Sequence, residues 1–233
     1  MQQQLLLISS SKAGHSDYLE HASHWLTEHF KQREVLFIPY AGVTQSHAAY
    51  SKRVAEALAP AGVKLRGIEE YADPKAAVEQ AEAIAIGGGN TFVLLNLLYK
   101  YGLLDPIRRR VAEGMPYAGW SAGSNIAGMS IRTTNDMPIV QPPSFTALNL
   151  LPCQLNPHYI DVNPPGHHGE TRDQRLAEFM VQDSHSAVLA IREGTALKVS
   201  GKRMQLLGKK DGFVFRSGQK FTLKAGQNCS QWL

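Results

Sequence analysis

Short apolar runs separated by stretches of helical spacing are the feature that most restricts the fold. Leu5-Leu6-Leu7-Ile8, Val35-Leu36-Phe37-Ile38, Ala83-Ile84-Ala85-Ile86 and Tyr117-Ala118-Gly119-Trp120 are nearly uninterrupted by polar residues. Such a run bounded by turn formers suits a strand buried on both faces, as in a parallel sheet covered by helices. Val63-Lys64-Leu65-Arg66-Gly67-Ile68 alternates instead, as an edge strand would. Between the runs, Leu19, Ala22, Trp25, Leu26 and His29 recur at helical intervals. They predict a helix from about Ser16 to Phe30, capped by Ser16 or Asp17. Further helices are expected over 46–59, 91–99, 105–112 and 170–181. Alternation of this kind implies an α/β fold with a doubly wound, mostly parallel sheet, whose functional loops lie at the carboxyl ends of the strands.

After Trp120 the rhythm changes. Residues 132–168 are rich in Pro, Asn and Thr and suggest loops and short strands, where site residues often reside. Ala187-Val188-Leu189-Ala190-Ile191 reads as one more buried strand. From Ala196 to Leu223 the chain alternates and turns at Gly201, Gly208, Asp211-Gly212 and Ser217-Gly218, which predicts C-terminal β-hairpins. With 233 residues and no linker or repeat, residues 1–233 are expected to form a single domain.

Composition narrows the class. The chain is 43% hydrophobic and 19% charged, without an apolar stretch long enough to span a bilayer, so neither disorder nor membrane insertion is expected. Its start lacks the basic residues and apolar core of a signal peptide, which points to the cytoplasm. Cys153 and Cys229 are far apart and read as free thiols. The net charge of +4 is dispersed, and Arg108-Arg109-Arg110 reads as a solvated helix face, so no nucleic-acid or membrane partner is expected. The adjacent His167 and His168 lack matching carboxylate spacing, and no metal or other cofactor is expected.

Chemistry concentrates at Gly119-Trp120-Ser121-Ala122-Gly123, a Gly-x-Ser-x-Gly arrangement between a predicted strand and a helix-compatible segment. That is the form of a nucleophile elbow, which needs small neighbours because the serine backbone is strained. A serine hydroxyl requires a base, and the base an orienting carboxylate. Among nine histidines, His158 stands out because Pro157 fixes it within the loop-rich segment. His21, His24 and His29 fall on one early helix and read as surface or partly buried residues. Two acids compete as orienter: Asp136 in the irregular segment and Glu193 after a strand. The turn Gly87-Gly88-Gly89 completes no nucleotide-binding pattern, and it can offer the amide of Gly88 or Gly89 to an oxyanion, with Ala122 as second donor.

These segments together resemble the peptidase E family, cytoplasmic serine peptidases that include aspartyl dipeptidases and cyanophycinase. The resemblance rests on Gly87-Gly88-Gly89-Asn90-Thr91-Phe92, Gly119-Trp120-Ser121-Ala122-Gly123-Ser124, Asn135-Asp136-Met137-Pro138, Asn156-Pro157-His158 and Gly169-Glu170-Thr171-Arg172. It implies a fold like that of class I glutamine amidotransferases and hydrolysis of dipeptides with an N-terminal aspartate. The family's nucleophile falls on Ser121 and its histidine on His158, while both Asp136 and Glu193 have counterparts as third member. Arg172 becomes the expected anchor for an acidic substrate, joined by Asn90. An esterase or amidase of other specificity, or a catalytically silent binding protein on the same scaffold, are the alternatives. A glutamine amidotransferase is disfavoured because the elbow carries Ser where that chemistry uses Cys. The oligomeric state stays open, with a homodimer one candidate.

Overall fold

A computed structural model describes residues 2–162, 166 and 168–233. His167, half of the adjacent histidine pair, lies outside them. The chain runs β1 (Gln4–Ile8), α1 (Ser23–Phe30), β2 (Glu34–Ile38), α2 (His47–Leu58), β3 (Lys64–Gly67), α3 (Pro74–Gln80), β4 (Ala83–Ile86), α4 (Thr91–Lys100), α5 (Leu104–Ala112), β5 (Tyr117–Trp120) and α6 (Ala122–Asn125). Then follow β6 (Gln154–Asn156), α7 (Arg172–Gln182), β7 (Val188–Ala190), β8 (Ala196–Ser200), β9 (Arg203–Leu207), β10 (Gly212–Arg216) and β11 (Gln219–Leu223).

The main sheet has the order β3-β2-β4-β5-β1-β8-β9. Its first five strands are parallel and the β8–β9 hairpin extends it antiparallel. The apolar runs are explained by burial on both faces. Leu5, Leu7, Leu36, Ile38, Ile84, Ile86 and Tyr117 enter one core with α3, α4 and α5. Leu6, Ile8, Val35, Phe37, Ala83, Ala85, Ala118 and Trp120 enter another with α1 and α2. A strand's side chains alternate in direction, so an unbroken apolar string serves two cores at once. β3 is the edge strand that its alternation predicted.

A second sheet, β11-β10-β7-β6, carries α7, which packs Leu176 and Met180 against Tyr159, Val188 and Phe215. The strand expected after Ala187 is therefore buried, but in this smaller sheet and not in the main one. One helix expectation is corrected and one helix is added. α1 begins at Ser23, preceded by a single 3-10 turn over Glu20–Ala22, because Leu19 adopts a left-handed φ of 60° that no helix continues through. Ser16 instead accepts the amide of Ala13 at 3.0 Å, and neither it nor Asp17 caps α1. α3 was not expected; Asp73 caps it by accepting the amides of Lys75 and Ala76, with Pro74 at the first helical position.

Arg109 of the arginine cluster stays exposed on the helix face, while its two neighbours are tied to backbone carbonyls. Arg108 donates to the carbonyls of Ala147 and Leu148 at 2.6 and 3.1 Å, and Arg110 to that of Ala81 at 2.9 Å. Among the described residues no helix is long and apolar enough to cross a membrane.

Candidate active site

Ser121 joins β5 to α6 with φ 54° and ψ −114°, a costly conformation for a residue with a side chain. The residues two positions to either side have to be glycine. A Cβ on Gly119 would lie 2.3 Å from the carbonyl oxygen of Gly123, and one on Gly123 2.0 Å from that of Ile86. Surrounding hydrogen bonds hold the turn. Tyr117 donates its hydroxyl to the Gly123 carbonyl at 2.6 Å, and Ser124 Oγ sits 2.7 and 2.8 Å from the carbonyls of Ile8 and Gly119.

The base arrives from the other sheet. β6 and β7 are parallel with Asn156 opposite Ala190, so the chain just beyond each strand's carboxyl end brings His158 and Glu193 together. The His158 amide donates to Ser9 Oγ at 2.9 Å, and Ser9 donates to the Ile191 carbonyl at 2.9 Å. His158 Nε2 then lies 2.8 Å from Ser121 Oγ, while Nδ1 lies 2.8 Å from Glu193 Oε1. A carboxylate only accepts, so these partners assign the proton to Nδ1 and leave Nε2 free to take the serine proton.

Asp136 is not part of this relay. Its Oδ2 accepts from the Thr91 amide at 2.7 Å, the Thr91 hydroxyl at 2.6 Å and the Thr134 hydroxyl at 3.3 Å. It satisfies otherwise unpaired donors at the start of α4, as a carboxylate does at a helix N-terminus. Of the two competing acids, only Glu193 touches His158.

Gly88 and Gly89 follow β4, the neighbour of β5, and border the same cleft as Ser121. A Cβ on Gly88 would approach Ser121 Cβ to 2.9 Å, and one on Gly89, whose φ is 134°, would lie 2.1 Å from the Ala41 carbonyl oxygen. The amides of Gly88, Gly89 and Ala122 donate to no acceptor among the described residues. Tyr50 donates its hydroxyl to the Gly88 carbonyl at 2.9 Å and pairs with Tyr18 Oη at 3.1 Å, which in turn accepts from Trp120 Nε1 at 3.0 Å. Neither tyrosine nor Ser9 was singled out in the sequence, because hydroxyls at loop starts and on helix faces carry no motif.

Asn90 borders the cleft, but its side chain is already engaged: Oδ1 accepts the Val93 amide at 3.0 Å and Nδ2 donates to the Met137 carbonyl at 2.9 Å. Arg172 does not border the cleft. It opens α7, half buried, and donates to Asn135 Oδ1, which also accepts from Asn156 Nδ2 at 3.0 Å. Burial, helped by nearby Arg175, holds its guanidinium below the ordinary value. Its Nε is buried without an acceptor among the described residues, which leaves donor capacity unmet.

The cleft itself encloses about 640 Å³ and is bordered by Lys12, Tyr18 and Arg53 as well as by Ser121, His158 and the glycines. Cys153 and Cys229 are buried free thiols, with burial pushing Cys153 up to about 12 and Cys229 up to about 11, which leaves neither a ready nucleophile. Among the described residues no three His, Cys, Asp or Glu side chains gather as metal ligands.

Similarity to known proteins follows this geometry. Peptidase E of Shewanella denitrificans strain OS217 is 52% identical over 230 residues, covering 98% of each chain. Peptidase E of Shewanella amazonensis is 52% identical over 232 residues, again covering 98% of both. The crystal structure of a peptidase from an acI-B1 Actinobacterium has a TM-score of 0.73 at 19% identity, covering 97% of this chain and 96% of that one. A protein from Listeria monocytogenes EGD-e, provisionally assigned to peptidase E, gives a TM-score of 0.66 at 24% identity, covering 90% and 100%. Those two likenesses show the fold. The model of peptidase family S51 matches residues 5–207, and with relatives this close along nearly the whole length, the chain belongs to peptidase family S51.

Proposed function

We propose that this chain is a serine dipeptidase that hydrolyses dipeptides with an N-terminal aspartate through an acyl-enzyme. The observation that carries the reading is the continuous relay from Ser121 Oγ through His158 to Glu193, each step 2.8 Å. His158 Nε2 takes the serine proton as Oγ attacks the carbonyl of the aspartyl residue. Glu193 keeps the imidazole in the required tautomer and offsets the positive charge it gains. The oxyanion falls to the Ala122 amide and to that of Gly89. The trans peptide between Gly88 and Gly89 points its N–H away from its carbonyl, which Tyr50 holds on the opposite side. His158 then gives its proton to the leaving amine, and water attacks the ester, with the same histidine as base, to release aspartate and free Ser121.

Arg172 supports selectivity for an acidic side chain. Arg172 lies outside the cleft lining but is joined through Asn135 to the Pro157 carbonyl beside His158, and a guanidinium there with no carboxylate partner among the described residues suits a substrate carboxylate that an uncharged asparagine could not replace.

Turnover of dipeptides beginning with Asp, Asn and Glu tests the reading, alongside covalent labelling by a fluorophosphonate. Cleavage confined to Asp, with both activity and label abolished by Ser121→Ala, is expected. Equal cleavage of Asp and Asn substrates points to an amidase of other specificity. A protein that neither labels nor cleaves is a silent scaffold.

A further inference from the structure

A dipeptide that begins with aspartate carries two carboxylates at neutral pH: the side chain of its first residue and the free terminus of its second. The reading above gives Arg172 to the first, and the second has no partner yet. Besides the 41–45 loop, two sets of residues border the cleft beside Ser121. Asn90 and Ile139 belong with the 135–139 loop, since Asn90 Nδ2 holds the Met137 carbonyl and Arg172 donates to Asn135 in the same loop. Lys12, Tyr18 and Arg53 form the other set, on elements far from that loop in sequence.

Arg53 is built into its place. Its guanidinium lies 4.8 Å from the centroid of the Tyr18 ring and 5.0 Å from that of Tyr50. Both hydroxyls are tied into the chain of hydrogen bonds that runs from Trp120 Nε1 to the Gly88 carbonyl, so the rings beside the cation are themselves anchored. Cation–π contact with both rings holds the guanidinium beside the cleft, and its N–H groups donate to no acceptor among the described residues, which leaves them available to a carboxylate. Among the described residues no carboxylate lies within ion-pair distance of Arg53 or Lys12, and no acidic side chain borders the cleft. Two solvent-exposed cations without an acidic partner, one of them held against two aromatic rings, stand beside Ser121 and are open to an anionic ligand.

We infer that Arg53, assisted by Lys12, binds the terminal carboxylate of the leaving residue, and so restricts the enzyme to dipeptides. The inference rests on the dipeptidase reading but concerns a separate group of the substrate. An extended peptide or a C-terminal amide places an uncharged group where Arg53 needs an anion.

The test compares Asp-Leu, Asp-Leu amide and an aspartyl anilide as substrates of the wild type, Arg53→Met and Arg53→Lys. Wild type is expected to favour Asp-Leu over its amide by about ten- to a hundredfold in kcat/KM, the scale of one charge-assisted interaction. Arg53→Met should lower kcat/KM for Asp-Leu by that factor, mainly through KM, and bring the ratio between Asp-Leu and its amide close to one. Arg53→Lys, which keeps charge but loses the fork, should fall between. If wild type cleaves Asp-Leu and its amide equally well, the inference is overturned while the dipeptidase reading stands. Equal losses on all three substrates in Arg53→Met overturn it too, because they mean that Arg53 acts only by bracing the tyrosines. A wild type inactive on all three overturns the dipeptidase reading and this inference with it.

Discussion

Replacement of Glu193 by Gln tests the relay at the step the sequence left undecided. The amide oxygen of Gln can still accept from His158 Nδ1, so ring orientation survives while the charge that stabilises the imidazolium is lost. Three features of the structure bound the magnitude. The contact is short, 2.8 Å, and the His158 and Glu193 side chains are 37% and 49% exposed. Water screens a pair this open, so the buried-triad figure of ~10⁴-fold does not apply. One charge-assisted hydrogen bond, worth about 1.5–3 kcal/mol before that discount, translates to a loss of roughly ten- to a hundredfold in kcat. Glu193→Ala, which removes the acceptor as well, should lose more. The companion variant is Asp136→Asn. Its three hydrogen bonds hold Thr91 and Thr134, not His158, so its main effect belongs to stability. Losing a charge at the start of α4 costs about 1–2 kcal/mol, equivalent to a drop of roughly 2–8 °C in Tm. Steady-state kinetics and thermal melts on both variants decide the matter. Wild-type kcat in Glu193→Gln, or a larger loss of kcat in Asp136→Asn with no change in its Tm, refutes the assignment.

Two further outcomes follow from named contacts. Tyr50→Phe keeps the edge-on contact with Phe37, at 5.2 Å and 82°, but frees the Gly88 carbonyl. With the Gly89 amide less firmly aimed, kcat should fall about tenfold, less than the hundredfold to thousandfold typical of losing an oxyanion donor outright; a lower Tm with intact kcat would assign Tyr50 to stability alone. His29 donates Nε2–H to the Tyr117 carbonyl at 3.0 Å, and burial pushes its imidazole down to about 4, opposed by that hydrogen bond. The unfolded chain takes up this proton near pH 6.5 and the folded chain only near 4, so the contribution is complete above pH 6.5 and is lost as pH falls toward 4, by about 3 kcal/mol at most. His29→Gln should flatten the dependence of the urea midpoint on pH across that window, and an unchanged slope would place the effect on another group.

Much of the fold was legible because it depends on local chemistry. A strand buried on both faces cannot tolerate polar residues, and the four apolar runs of the main sheet record that directly. The elbow was legible for a related reason: only glycine fits where a Cβ would meet a backbone oxygen at 2.0 or 2.3 Å. Local spacing misled at Ser16–Ala22, where apolar residues keep a helical interval but Leu19 breaks the backbone. It was also silent on α3, which contributes only Ala77 and Val78 to the core and shows no long stripe. What the sequence by itself determined was therefore the strands, most of the helices, and the candidacy of Ser121, His158 and the glycine turn. The tertiary structure alone decided which acid reaches His158, because that contact depends on the parallel pairing of β6 with β7, residues that lie more than thirty positions apart. The same holds for Arg53. Tyr50 stands one turn before it on α2, but its meaning comes from Tyr18, brought in from the loop after β1, and from the place of all three at the edge of the cleft that holds Ser121.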